Sequence, residues 1–243
     1  MSPKKYTPKY PLVWQKDDFF IEIFCSIPNI ATGILLSAGN SNFIIDPGDG
    51  ILRDLNKTLS SDDILMISDI FISHGHHDHI GGVWSLLTYL SVMNKKTTLN
   101  IYFPDGCVEM ESIYTAFMQV YGKELSYKIN LKRISSTKPF TRKSVKIIPF
   151  FVNHKEPGNK KGETFTVPSI GFKYIYNHKS ITYGGDTAYC DSLVEMSANS
   201  DLAILEAGAE FKEETELHMT MEQAIEIGES AKEYFLVHVH EKN

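Results

Sequence analysis

Apolar and polar residues fall into short runs along the first part of the chain. Phe19-Phe20-Ile21-Glu22-Ile23-Phe24, Gly33-Ile34-Leu35-Leu36 and Asn42-Phe43-Ile44-Ile45 read as strands, and the last stops at Asp46-Pro47-Gly48. A short helix is expected over 50–58, followed by Asp69-Ile70-Phe71-Ile72-Ser73 as a buried strand. From Ile80 to about Met93, Val83, Leu86, Leu87 and Leu90 recur at helical spacing. The pattern next predicts a strand over 99–103, a helix over 106–121 and strands over 126–134 and 144–152. Runs 170–176 and 180–183 flank Asn177-His178-Lys179, which signals a hairpin. A strand over 202–206, a helix over 220–232 and a strand over 234–239 complete the pattern. With no repeat and no linker, it predicts one α/β layered domain over 1–243.

Composition changes this picture little: 42% hydrophobic and 22% charged residues in 243 exclude a disordered or fibrous chain. The longest apolar stretches, such as Ile147–Val152, are too short to cross a bilayer, so no membrane partner is expected. The basic start Met1–Tyr6 has no apolar run behind it. Cys25, Cys107 and Cys190 are far apart and odd in number, which argues for a reducing compartment, with the cytoplasm as the default. Charge is uneven. Residues 123–161 hold eleven Lys or Arg against Glu124 and Glu156, a local +9 that leaves −15 for the rest of a chain at −6 overall. Such a block either attracts an anionic substrate or forms a solvated face of strands and turns.

The chemistry lies in Ser73-His74-Gly75-His76-His77-Asp78-His79-Ile80-Gly81-Gly82, with four histidines and an aspartate in six positions after an apolar strand. Neutral imidazole and carboxylate are good ligands for zinc and related divalent ions, and a strand-to-helix turn can aim several at one point. A structural zinc site would need paired cysteines, which the chain lacks.

His74-x-His76-x-Asp78-His79 resembles the signature of the metallo-β-lactamase superfamily of binuclear metal hydrolases. Ile44-Ile45-Asp46-Pro47-Gly48 is similar to that family's first motif, an Asp that buttresses the site. His154 in Phe151-Val152-Asn153-His154, Asp186 in Tyr183-Gly184-Gly185-Asp186-Thr187 and His238 in Phe235-Leu236-Val237-His238 fit its later motifs in order. The resemblance implies a four-layer αββα sandwich with metals at the edge between two sheets. It implies one Zn2+ on His74, His76 and His154, a second on Asp78, His79 and His238, and Asp186 bridging them; Mn2+ suits the same donors. Asp78 would orient a metal-bridging hydroxide as nucleophile. Strand alternation alone cannot separate His238 from His240, and the family's strand-then-His pattern favours His238. His77 is expected to face away from the metals, and His178 to lie in the hairpin turn.

The ligand set separates branches. Flavodiiron proteins carry Glu where this chain has His76, and many β-lactamases of this fold lack the Asp78-His79 pair or replace the bridging Asp with Cys. Leu205-Glu206-Ala207-Gly208-Ala209 and His218-Met219-Thr220-Met221-Glu222-Gln223-Ala224 resemble segments of the RNase Z-like branch. There the His lies near the scissile phosphate, so His218 is the candidate transition-state stabiliser or leaving-group acid, with Glu206 behind it. Bacterial tRNA-processing members carry a long Gly/Pro-rich arm between the third-motif His and the bridging Asp, but here only 32 positions separate His154 from Asp186. The expectation is therefore a metal-dependent phosphodiesterase acting on a small nucleotide, first of all a 3′,5′-cyclic nucleotide. An RNA 3′-processing nuclease is the alternative, followed by an ester or lactone hydrolase or a non-catalytic nucleotide binder. Lys155, Lys160 and Lys161 would attract a substrate phosphate or close over it. The branch also implies a homodimer.

Overall fold

The computed structural model describes residues 8–160, 162–209 and 216–239. The first sheet begins as an antiparallel meander of β1 (Leu12–Lys16), β2 (Phe19–Ile27), β3 (Ala31–Ala38) and β4 (Ser41–Ile45). Helices α1 (Ile51–Thr58) and α2 (Ser61–Met66) then lead to β5 (Asp69–Phe71). Short α3 (His77–Ile80) and α4 (Val83–Val92) connect β5 to β6 (Leu99–Pro104), and α5 (Val108–Tyr121) connects β6 to β7 (Ile129–Ile134). From β4 onward the pairing is parallel, and β7 forms an outer edge.

The second sheet starts at its own edge with β8 (Phe140–Arg142) and β9 (Val145–Phe151). A separate hairpin of β10 (Lys155–Pro157) and β11 (Thr164–Thr166) follows. Strands β12 (Ile170–Tyr176) and β13 (Lys179–Tyr183), helix α6 (Asp191–Ser197), β14 (Leu202–Glu206), α7 (Met221–Gly228) and β15 (Tyr234–Val237) complete it. Its strand order is β15-β14-β13-β12-β9-β8.

Three apolar layers hold these elements together. Ile21, Ile34, Phe43 and Phe71 of the first sheet meet Phe172, Tyr174 and Ile181 of the second. The opposite face of the first sheet packs on Leu55, Leu86, Leu90 and Phe117 of its helices, and that of the second on Leu193, Ala224 and Ile227. The order helix–sheet–sheet–helix is the αββα sandwich that the family resemblance implies. Among the described residues no helix is long and apolar enough to cross a membrane.

Several predicted boundaries shift. The helix expected over 80–93 is two pieces, because Gly81 and Gly82 separate α3 from α4. The helix expected over 220–232 ends at Gly228, and the strands expected over 126–134 and 234–239 shorten to 129–134 and 234–237. Thr220 caps α7: its hydroxyl accepts from Gln223 N while the Gln223 side chain accepts from Thr220 N. Residues 155–157, which the sequence reading assigned to no strand, open the β10–β11 hairpin, with Pro157 facing Thr164. Elements β1, α2, β8 and α6 are too short for periodicity to find. The hairpin at Asn177-His178 is as predicted, and both turn residues have positive φ, 45° and 63°.

Strands β4, β5, β9, β13, β14 and β15 all run out at one edge of the sandwich, each within a few residues of a buried polar side chain. This edge is tight at Gly48, where a Cβ would come within 2.0 Å of Asp78 O and 2.4 Å of Thr32 O, both backbone. Gly48→Ala is expected to destabilise by about 1–3 kcal/mol, lowering the thermal midpoint by roughly 2–12 °C. Differential scanning calorimetry checks this, and an unchanged midpoint would mean that the turn has slack.

Candidate metal centre

The edge is organised by Asp46, which follows β4 in a left-handed conformation at φ 44°. Parallel pairing of Ile45 with Phe71 sets it beside the loop after β5. Its carboxylate is fully buried and accepts from Ser73 N at 2.7 Å, Ser73 Oγ at 2.6 Å, Tyr183 OH at 2.6 Å and His79 Nδ1 at 2.8 Å. A buried carboxylate needs such donors, and here they come from both sheets.

Hydrogen bonding then fixes the histidine tautomers. Ser73 Oγ has one proton, given to Asp46, so it accepts from Nδ1–H of His74 at 3.0 Å and leaves Nε2 of His74 as a lone pair. That Nε2 is buried without a hydrogen-bond partner. His154 Nδ1–H donates to Leu217 O at 3.3 Å, so its Nε2 is also a lone pair. His76 Nε2–H points at Glu156 of the β10–β11 hairpin, leaving Nδ1 facing His154 Nε2 at 3.3 Å. The three unprotonated nitrogens of His74, His76 and His154 thus converge within 4.8 Å of one another. Lone pairs so placed repel unless a cation lies among them.

A second group lies beside the first. Donor atoms of Asp78, His79, Asp186 and His238, all buried, also fall within 4.8 Å of one another. His238 Nε2 is 2.9 Å from Asp78 Oδ2 and 3.2 Å from Asp186 Oδ2, and His79 Nε2 is 3.3 Å from Asp186 Oδ1. Asn29 N donates to Asp78 Oδ2 at 3.2 Å. The His74 and His79 rings are 4.1 Å apart between centroids, which joins the two groups into one cluster.

Glu206, at the end of β14, plays the part of Asp46 in the second sheet. Its carboxylate accepts from Thr187 N at 3.1 Å, Gly208 N at 2.6 Å and Met219 N at 3.1 Å, and from His218 Nδ1 at 3.2 Å. The His218 ring lies between those of His154 and His238, at centroid distances of 5.4 and 5.9 Å. It forms a wall of a 460 Å³ cleft that Asp78, Asp186, Lys155, Glu156 and Leu217 also line.

Of the remaining expected positions, one lies elsewhere. Lys155 lines the cleft, with Nζ 3.4 Å from Glu216, but Lys160 is exposed away from it, because the β10–β11 hairpin turns the chain outward there. Lys161 and His240 lie outside the described residues. His77 is exposed at the cleft rim, outside both groups, and His178 is in the hairpin turn. Strand alternation, which left His238 and His240 unseparated, does not reach His238, because β15 ends at Val237 and His238 turns left-handed at φ 57°. Glu156 and Asn29 escape sequence reasoning. Glu156 left one signal, as an acid inside the basic block two residues after His154.

Residues 41–240 match the family model of the beta-lactamase superfamily domain. The chain belongs to that superfamily. Ribonuclease Z of Methanothermobacter thermautotrophicus is 25% identical over 251 residues, covering 86% of this chain and 80% of that protein. The metallo-beta-lactamase fold protein YhfI from Bacillus subtilis superposes with a TM-score of 0.74 at 22% identity, over 94% of this chain and 88% of its own. The short form of human tRNase Z superposes at 0.69 and 22% identity, over 90% of this chain and 92% of its own. Within the metallo-β-lactamase superfamily the chain is RNase Z-like, and it is a metal-dependent hydrolase.

The residues fit the divalent ions that this superfamily binds. Burial holds His154 down to about 4 and His74 well below the ordinary imidazole range, the latter helped by the neighbouring His79 charge, so both are neutral at pH 7, the form in which imidazole can bind a cation. Burial opposes the charged form of His79, but the carboxylates of Asp186 and Asp46 outweigh it and hold the ring well above its usual value. Asp186 is disfavoured as an anion by burial, yet His238 and His79 keep it well below the carboxylate range. In the protein alone a proton on His79 offsets the acids around it, and a bound cation must displace that proton. Metal affinity is therefore expected to rise with pH across the neutral range, with proton release on binding. Calorimetric titration in buffers of different ionisation enthalpy checks this, and a pH-independent affinity without proton release would contradict it.

Proposed function

We propose that the chain is a binuclear phosphodiesterase that cleaves RNA at or near a 3′ end. The observation that carries this reading is the His218–Glu206 pair standing over the metal-ligand cluster in the cleft, in a chain whose curated relatives are named ribonuclease Z. His74, His76 and His154 would hold one zinc ion, Asp78, His79 and His238 the other, and Asp186 would be common to both, with manganese suited to the same donors. When bound, two divalent cations supply Lewis-acid charge at the phosphate and bring the pKa of water towards neutrality.

The chain's own groups act around that chemistry. Asp78, fixed by Asn29 N–H and His238, presents a carboxylate oxygen that can orient the attacking water. His218 is anchored through Nδ1 on Glu206 and can donate a proton to the departing ribose oxygen. Lys155 adds positive charge at the cleft rim, where a phosphate would enter. A homodimer, as the branch implies, and a cytoplasmic setting, for which the scattered cysteines argue, belong to the same reading.

A second reading keeps the chemistry and changes the substrate. Between His154 and Asp186 the described chain forms only the β10–β11 and β12–β13 hairpins, and the 460 Å³ cleft is of a size that holds small ligands. This favours a cyclic mononucleotide, the substrate that the sequence by itself puts first; the ribonuclease Z relatives reverse that order.

His218→Gln is expected to lower turnover of a precursor tRNA by about 10²–10⁴-fold at unchanged metal content. Assays of the metal-loaded protein on precursor tRNA, 3′,5′-cyclic nucleotides and bis-(p-nitrophenyl) phosphate check the reading. Turnover confined to cyclic nucleotides would move the substrate to the second reading, and full activity in the variant would remove His218 from the chemistry.

A further inference from the structure

The basic block of residues 123–161 is only partly used by the site. Lys155 faces the catalytic cleft, but Lys132, Arg133, Arg142 and Lys146 lie on β7, β8 and β9 and Lys128, Lys138 and Lys143 beside these strands, of which β7 and β8 are the open edges of the two sheets. There Lys132, Arg133 and Lys138 line a second cleft of 330 Å³ with Tyr102, Ser135 and Phe140. A third cleft of 390 Å³ shares Ile134 and Ser135 with it and runs past Phe151 and Val152 to Thr166 and Val167. Thr166 pairs with Lys155 across the β10–β11 hairpin, and Val167 N donates to His154 O at 3.0 Å. The two clefts thus form one groove that reaches the β10–β11 hairpin, whose first strand lines the catalytic cleft.

Charge and shape in this groove point the same way. From Leu125 to Lys155 the sequence has no acidic residue. Arg142 is engaged with buried Asp69 at 2.6 Å and Arg133 with Glu111 at 2.5 Å. Among the described residues, Lys132 and Lys138 of the groove are exposed and make no ion pair, and Lys128, Lys143 and Lys146, outside its lining, are likewise exposed and make none. Lysines on edge strands also deter unwanted strand pairing, so charge alone would not identify a ligand. The aromatic rings do. Phe71, Tyr102 and Phe140 stack in a column with 5.0 Å between successive centroids, and Phe140, half-buried, brings that column to the groove. Phe151, 51% exposed, lies farther along, and Phe165, 52% exposed, lies on the hairpin. Unpaired cations interleaved with accessible aromatic rings are the means by which single-stranded nucleic acid is held without reading its sequence.

We infer that this groove docks the single-stranded RNA flanking the cleaved bond, so that the lysines meet backbone phosphates and the rings meet bases. The inference rests on the RNA reading of the catalytic site. It gives the compact chain a way to grip a long substrate outside the cleft.

The test is anisotropy of a labelled single-stranded RNA that carries the cleavable end, across a salt series, for the metal-loaded wild type and for Lys132→Glu/Lys138→Glu. The expected result is at least about tenfold weaker binding and a plot of log affinity against log salt that is shallower by about 1.4, as follows when two lysines no longer neutralise phosphates. KM for RNA should rise, while hydrolysis of bis-(p-nitrophenyl) phosphate and the thermal midpoint stay unchanged. A wild type that cleaves RNA, paired with a variant of unaltered affinity and salt slope, would overturn the groove and leave the substrate reading standing. A wild type that neither binds nor cleaves RNA would overturn both.

Discussion

A single buried carboxylate, Asp46, ties the two sheets together at the functional edge. It accepts from the backbone and hydroxyl of Ser73 after β5, from Tyr183 at the end of β13 and from His79 in α3. An unsatisfied carboxylate at this depth would cost several kcal/mol, so the four donors are held where they are by the same group that they stabilise. Through Ser73 the constraint passes to His74 and fixes which ring nitrogen faces inward; through His79 it fixes a second ring directly. The geometry of the candidate metal-binding cluster is thus inherited from a structural interaction that need not touch a metal.

Glu206 repeats the arrangement in the other sheet, where its hydrogen bonds from Thr187 N and Met219 N hold the residues next to Asp186 and His218. Strain accompanies both ends. Asp46 and His238 are non-glycine residues in the left-handed region, at a cost of order 1–3 kcal/mol each. At both positions the chain leaves a parallel strand and must turn at once to bring a polar side chain into the cluster.

Much of this was legible in the sequence because it is local. His74, His76, Asp78 and His79 fall in one strand–turn–helix passage, and Asp46, His154, Asp186 and His238 each follow an apolar run, so family order alone aligns them with that passage. What was not legible depends on tertiary contact. The β10–β11 hairpin forms because Lys155–Pro157 finds Thr164–Thr166, and only then does Glu156 reach His76 while Lys160 is carried away from the cleft. The left-handed turn at His238 has no sequence marker either, and strand alternation does not extend to it. The basic block likewise could not be divided between site and groove until the two sheet edges were seen side by side.

The role proposed for the converging nitrogens and carboxylates is to hold a pair of cations. Anomalous X-ray diffraction from crystals grown with zinc tests it most directly. Two peaks per chain are expected, one among His74, His76 and His154 and the other among Asp78, His79, Asp186 and His238. A single peak elsewhere, or none at this cluster, would contradict it.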